Sequence, residues 1–237
     1  MPATRSVSRR PGRPVDRDLQ ARRRAEILDA AALLFATHGY AGADTQQLAD
    51  AAGVAKGTVF RYFPTKRALF VATVERALER MHAAVDAAAD AADDPLAKLR
   101  GALAAYLAFF DAHPETVELL ILERAELGAP ASAYFARGAR NSVAEDRWTR
   151  IIGALVADGR FRRLAPDRAL AFLGEVVYGA VLTRHFSGRR ARLADRAEEL
   201  FDLACHGLMA PEPPRRASPA TKSDGVAPRR LRRRRAR

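Results

Sequence analysis

Few residues of this chain are placed to do covalent chemistry. Cys205 is its only cysteine, so neither an internal disulfide nor a cysteine-cluster metal site is expected. The five histidines, His38, His82, His113, His185 and His206, show no metal spacing such as HExxH, and His113 stands before Pro114, where it serves a turn. No nucleophile motif and no glycine-rich phosphate loop occurs. No cofactor is therefore expected, and a catalytic role is disfavoured. The informative stretch is Thr45 to Phe63, TQQLADAAGVAKGTVFRYF. It reads as two short helices joined by a tight turn at Gly53. Ala49 is small enough to let the helices approach, and Leu48, Val54 and Val59 can face a preceding apolar stripe. The outer face of the second helix is then left free with its N-terminus exposed. That is how a recognition helix enters a major groove while its neighbour braces the backbone.

The surrounding sequence reads as helix after helix, rich in Ala, Leu, Arg and Glu, and predicts an all-α fold. A first helix over about Asp18 to Thr37 carries Ile27, Leu28, Ala31, Leu34 and Phe35 at helical spacing and ends at His38-Gly39. Asp44 caps the second helix, with Gln47 completing a capping-box pattern. The third runs from about Lys56 to Phe63 and stops at Pro64, and Thr65 caps a fourth reaching about Ala92. Asp94-Pro95 opens a helix to about Asp111, and Pro114 opens one ending near Gly128. A long helix after Pro130, broken near Gly138, is expected to reach Asp158-Gly159. Pro166 starts another through Phe186, and the last spans about Arg190 to Met209.

Gly39-Tyr40, Leu48-Ala49, Ala52-Gly53-Val54, the run Lys56 to Phe63, and Lys66-Arg67-Ala68-Leu69 together resemble the DNA-binding domain of the TetR family of bacterial regulators. The resemblance runs from about Arg23 to Phe70. It implies an N-terminal three-helix DNA-binding domain with a helix-turn-helix, followed by a helical ligand-binding and dimerisation domain. It also implies roles. Gln46 and Lys56 reach base edges, where Gln suits adenine and Lys suits guanine. Thr58, Tyr62 and Lys66 meet phosphate, Arg61 meets phosphate or solvent, and Gln47 and Gly57 lie within the same surface. Phe60 stands where the family often has a tyrosine, so it can only pack on sugar or a thymine methyl. Ala55 stands where a serine usually caps the third helix, a loss of about 1 kcal/mol.

The formal net charge of +12 is unevenly spread. Residues 1–24 carry a net +6 and residues 211–237 a net +8, leaving the intervening body slightly acidic. Basic ends are drawn to a polyanion, or simply keep the chain solvated. Arg10 and Arg13, in the run RRPGRP, suit a narrow minor groove. These features divide the chain into a disordered basic arm (1–17), a helix-turn-helix domain (18–64), a regulatory and dimerisation domain (65–210) and a disordered Arg-rich tail (211–237). The absence of a long apolar run argues against a membrane span, and a cytoplasmic protein is the simplest expectation.

Beyond about Val85 the helical pattern alone carries the reading. Leu193, Ala197, Leu200, Phe201, Ala204 and Leu208 form one apolar stripe, and Leu170, Leu173, Val177, Ala180 and Val181 form another. The family resemblance makes this pair of helices a homodimer interface built as a four-helix bundle; alternatively, the stripes face their own subunit's core. Tyr106, Phe109, Phe110, Leu119, Leu122, Tyr134, Phe135, Trp148, Tyr178 and Phe186 are candidates to line a pocket for a hydrophobic small-molecule effector. The expected function is a sequence-specific regulator, a repressor released from a palindromic double-stranded DNA operator by that effector. The alternatives are a helical interaction protein without specific DNA binding and, less favoured, a helical enzyme.

Overall fold

The computed structural model describes residues 17–127, 142–188 and 191–208, and all regular structure among them is helical apart from one isolated bridge residue. Arg10, Arg13, Tyr134 and Phe135 lie outside the described residues. The helices are α1 (Arg17–Gly42), α2 (Thr45–Ala51), α3 (Lys56–Tyr62), α4 (Lys66–Asp90), α5 (Pro95–Ala112), α6 (Glu115–Leu127), α7 (Ser142–Ala157), α8 (Pro166–Ser187) and α9 (Ala197–Leu208), with a 3₁₀ turn at Ala194–Arg196.

Local chemistry sets most boundaries. The Asp44 carboxylate accepts from the backbone amides of Gln46 and Gln47 and starts α2. Thr65 Oγ1 accepts from the amide of Ala68 at 3.0 Å and starts α4. The Asp94 carboxylate accepts from the amides of Leu96 and Ala97, with Pro95 at the first helical position of α5. Such caps satisfy amides that a helix N-terminus otherwise leaves unpaired. Ala55 supplies no side-chain cap to α3, which begins on a backbone bond from Thr58 N to Ala55 O instead.

Two boundaries differ from expectation. The first helix bends at Gly39, whose φ is 71°, and resumes to Gly42 rather than ending at His38-Gly39. The last helix starts seven residues later than about Arg190. Asp111 accepts from the amides of Leu193 and Ala194 at 3.0 and 2.8 Å, and this fixes the approach as a 3₁₀ turn.

The main core joins Ile27, Leu28, Ala31 and Phe35 of α1 to Leu48, Ala49 and Val59 of the helix-turn-helix and to Leu69, Phe70 and Val74 of α4. It continues without a break through Leu107, Phe110 and Leu119 into the body. A smaller core of Leu99, Ile152, Leu155, Phe161, Ala169, Phe201 and Cys205 holds α7 against α5, α8 and α9. α4 packs along α5, and α1 packs against both α4 and α6, so the N-terminal head rests on the body over two faces. Among the described residues no helix is long and apolar enough to cross a membrane.

Candidate nucleic-acid interface

Leu48, Ala49 and Val59 are buried beneath α2 and α3, and this burial orients the rest. Gly53 takes φ 63° in the turn, a left-handed conformation that a side chain disfavours, and Val54 N closes the turn on Ala49 O at 2.9 Å. With that face committed, Lys56, Gly57, Phe60 and Arg61 of α3 and Gln46 and Gln47 of α2 all remain exposed. Phe60 is 41 % exposed, large for a phenylalanine with no covering neighbour. Thr58 and Tyr62 are half-buried on the flank of the same helix.

Several of these side chains are already oriented. Gln46 Nε2 donates to Asp50 Oδ1 at 2.9 Å, which lays the amide along α2. The Arg61 guanidinium lies 5.5 Å from the Tyr62 ring centre. The amides of Gln46 and Gln47 hold the Asp44 carboxyl below the usual carboxylate range, with smaller help from the charges of Lys56 and Lys66. Gln47 makes no return bond to Asp44 among the described contacts, so half of the expected capping box is formed.

Lys66 is placed differently from expectation. Its ammonium donates to the carbonyl of Ala41 at 2.9 Å and lies 5.3 Å from the Tyr40 ring. It fastens the end of α1 to the start of α4, so one of its three donors is already spent inside the head.

A groove of about 470 Å³ adjoins α3 and adds residues that sequence reasoning missed. Leu19, Gln20 and Arg23 of α1 form one wall; Gly53, Val54, Ala55, Thr58, Arg61 and Tyr62 form the other. Arg23 is ion-paired with Glu26 at 2.9 Å. A signal was available: Gln20 and Arg23 lie on the helical line of the buried Ile27, two turns and one turn earlier.

Among the described residues, the regulatory-half candidates divide between the two cores. Tyr106, Phe109 and Phe110 pack on one another, with ring centres 5.0 and 5.7 Å apart, and are buried together with Leu119. Leu122 and Tyr178 border the same core, whereas Trp148 borders the smaller one. Phe186 is largely exposed. A small cavity of about 20 Å³ touches Phe109 but is otherwise lined by α1, α4 and the α5–α6 turn.

Within the single chain the interface stripes are mostly turned inwards. Val177, Val181, Leu193, Ala197, Leu200, Phe201 and Ala204 are each no more than 8 % exposed within the single chain. Leu170 and Leu173 are half-buried against the smaller core. Side chains already spent on their own core have little area left for a partner. The outward large apolar residues of the same helices are Phe172, 39 % exposed, Phe186, 72 % exposed, and Leu203, 62 % exposed. Phe172 lies against α9 at Gly207, where an added Cβ would touch its ring at 3.9 Å.

Comparison with known proteins bears on this arrangement. A family model for bacterial regulatory proteins of the tetR family matches residues 27–73, the stretch from α1 to α4. The HTH-type transcriptional repressor KstR of Mycolicibacterium smegmatis is 39 % identical over 82 residues, covering 35 % of this chain and 40 % of that repressor. KstR2 of the same organism, also a transcriptional repressor, is 28 % identical over 164 residues, covering 68 % of this chain and 78 % of the relative. Among solved structures, the transcriptional regulator FadR from Bacillus subtilis in complex with stearoyl-CoA superposes with a TM-score of 0.64 at 17 % identity, covering 77 % of this chain and 98 % of that one.

Proposed function

We propose that the chain belongs to the TetR family and is a DNA-binding transcriptional regulator rather than an enzyme, a homodimeric repressor released from a palindromic operator by a small, largely hydrophobic effector. The observation that carries the reading is the division of α3. Its inner face is spent on Leu48 and Val59, and its outer face presents Lys56, Gly57, Phe60 and Arg61 to solvent. In this reading Gln46 and Lys56 read base edges. Thr58, Arg61 and Tyr62 hold phosphates, joined by Gln20 and Arg23 across the groove. Lys66 keeps the head rigid and contributes only its remaining donors.

The domain limits follow the same division: a reading head over 18–64 and a regulatory body from Thr65 onward. One short recognition helix makes too few contacts for specific binding, so two heads related by a two-fold axis are needed. We assign the dimer contact to the outward faces of α8 and α9 around Phe172 and Leu203, because an exposed apolar pair on adjoining helices is what a four-helix bundle buries.

The aromatic group Tyr106, Phe109 and Phe110 supports a hydrophobic effector, and the FadR relative is seen with stearoyl-CoA. These rings fill their own space, so an effector must part them. That rearrangement is what ties occupancy to the head through α4 and α6.

A mobility-shift assay on DNA flanking the protein's own gene tests the reading. Retardation that weakens steeply with salt is expected. A folded dimer that retards no such fragment at low salt overturns it.

A further inference from the structure

A line of polar side chains crosses from the head into the body. Asp29 of α1 accepts from Arg76 of α4 through both oxygens, with Nε at 2.9 Å and Nη2 at 3.1 Å. Arg80, one turn further along α4, places Nη1 3.6 Å from the same carboxylate. Its Nη2 lies 3.2 Å from Nε2 of His113 at the α5–α6 turn. His113 Nδ1 in turn lies 3.2 Å from Glu115 Oε1, and the Phe109 ring packs 4.6 Å from the imidazole.

The partners dictate the tautomer. A guanidinium has only donors, so Nε2 must accept from Arg80. A carboxylate has only acceptors, so Nδ1 must carry the hydrogen donated to Glu115. His113 is therefore neutral in this arrangement, and a second proton can enter only at Nε2, pointing at the Arg80 cation. Protonation strengthens the bond to Glu115 inside the turn and breaks the one to α4. The charged groups facing this histidine are Arg80, with Arg76 behind it on α4, Asp29 from α1 and Glu115 from α6. Asp111 of α5 is engaged elsewhere, with Arg184 and the amides of Leu193 and Ala194.

We propose that His113 is a proton-operated positioning residue: neutral, it fastens the α5–α6 turn to Arg80 and, through Asp29, to the DNA-binding head, and its protonation opens this link and weakens DNA binding. The proposal rests on the reading of the chain as a DNA-binding regulator. A head held less firmly on the α5–α6 turn is less preorganised, and association costs it more. The sign is diagnostic, because acid otherwise adds positive charge and strengthens attraction to DNA.

The test uses the full chain and a duplex it selects from a random-sequence pool, at fixed salt, at pH 7.5 and 5.5. The wild type is expected to lose about fivefold in affinity in acid, the worth of one hydrogen bond. His113→Gln, which keeps a donor and an acceptor but does not titrate, is expected to lose none. Arg80→Gln, at an exposed position, is the second variant and is also expected to be flat. Nitrogen-15 spectra of the wild-type ring are expected to show the Nδ1–H tautomer at pH 7.5. Parallel pH profiles in wild type and Arg80→Gln, or a ring protonated at Nε2 in the neutral form, overturn the inference alone. A folded wild type that selects no duplex at either pH overturns the DNA-binding reading as well.

Discussion

Gly57, the second residue of α3, has no internal reason to lack a side chain. A Cβ built there meets nothing within 4 Å, and glycine in a helix costs about 0.5–1 kcal/mol relative to alanine. On the proposed reading the reason lies outside the chain, in a DNA surface that comes close to α3. Gly57→Ala is therefore expected to stabilise the protein by about 0.5–1 kcal/mol in denaturant titration. The same variant should bind its selected duplex about tenfold more weakly, equivalent to ~1.4 kcal/mol. A variant that is stabilised and binds normally would remove Gly57 from the interface. Arg23, across the groove from Arg61, makes a different prediction. A phosphate contact carries no sequence information, so Arg23→Ala should weaken binding to all duplexes alike and lower the salt slope by about 1. That Gln46 of α2 and Lys56, Gly57, Phe60 and Arg61 of α3 face solvent was legible, because the spacing of the buried Leu48, Ala49 and Val59 leaves that face free. Arg23 was not, because its role depends on which neighbour the first turn of α1 meets, and periodicity alone does not name the neighbour.

At the scale of elements, capping did most of the reading. Asp44, Thr65 and Asp94 each hold the amides that their positions implied. Asp94 does more than cap: its carboxylate also holds the Arg160 guanidinium, three residues past the end of α7, an ion pair spanning 66 residues that no local pattern announces. Arg160 first, and then the amides of Ala97 and Leu96, hold the Asp94 carboxyl well below the usual carboxylate range. A carboxyl lowered on folding contributes stability above its unfolded value, and that contribution is lost as pH falls towards the folded one. Asp94→Ala is accordingly expected to lower Tm at pH 7, with the gap to wild type closing as pH falls below 3.8. A gap that stays constant into acid would mean the ionised form contributes nothing. The start of α9 was illegible for the same kind of reason. The Asp111 carboxylate that shapes its approach comes from 82 residues earlier in the chain.

For the whole molecule, the apolar stripes of α8 and α9 were visible in the sequence, but their direction was not. A helix of a small bundle has two apolar neighbours to choose between, its own core and a second subunit, and the periodicity is the same for both. Burial separates them: Val181 and Leu193 turn inwards, Phe172 and Leu203 outwards. Phe172→Asp with Leu203→Asp should leave a folded monomer by sedimentation and circular dichroism, because neither side chain supports the core. Val181→Asp should instead unfold the chain, by about 3 kcal/mol or more for a buried unpaired charge. A dimer that survives the double substitution places the interface elsewhere.

The clasp of Lys66 on Ala41 and Tyr40 has a mechanical consequence. Together with the Asp29–Arg76 bridge it bolts the head to α4 at two points ten residues apart, so α4 and the head turn as one lever. The 25 residues of α4 make an arm of about 37 Å. A tilt of about 5° applied at its far end carries the opposite end through about 3 Å, the length of a hydrogen bond. Displacements smaller than a side chain deep in the body thus become, at the far end of the lever, the difference between a base edge in reach and one out of reach.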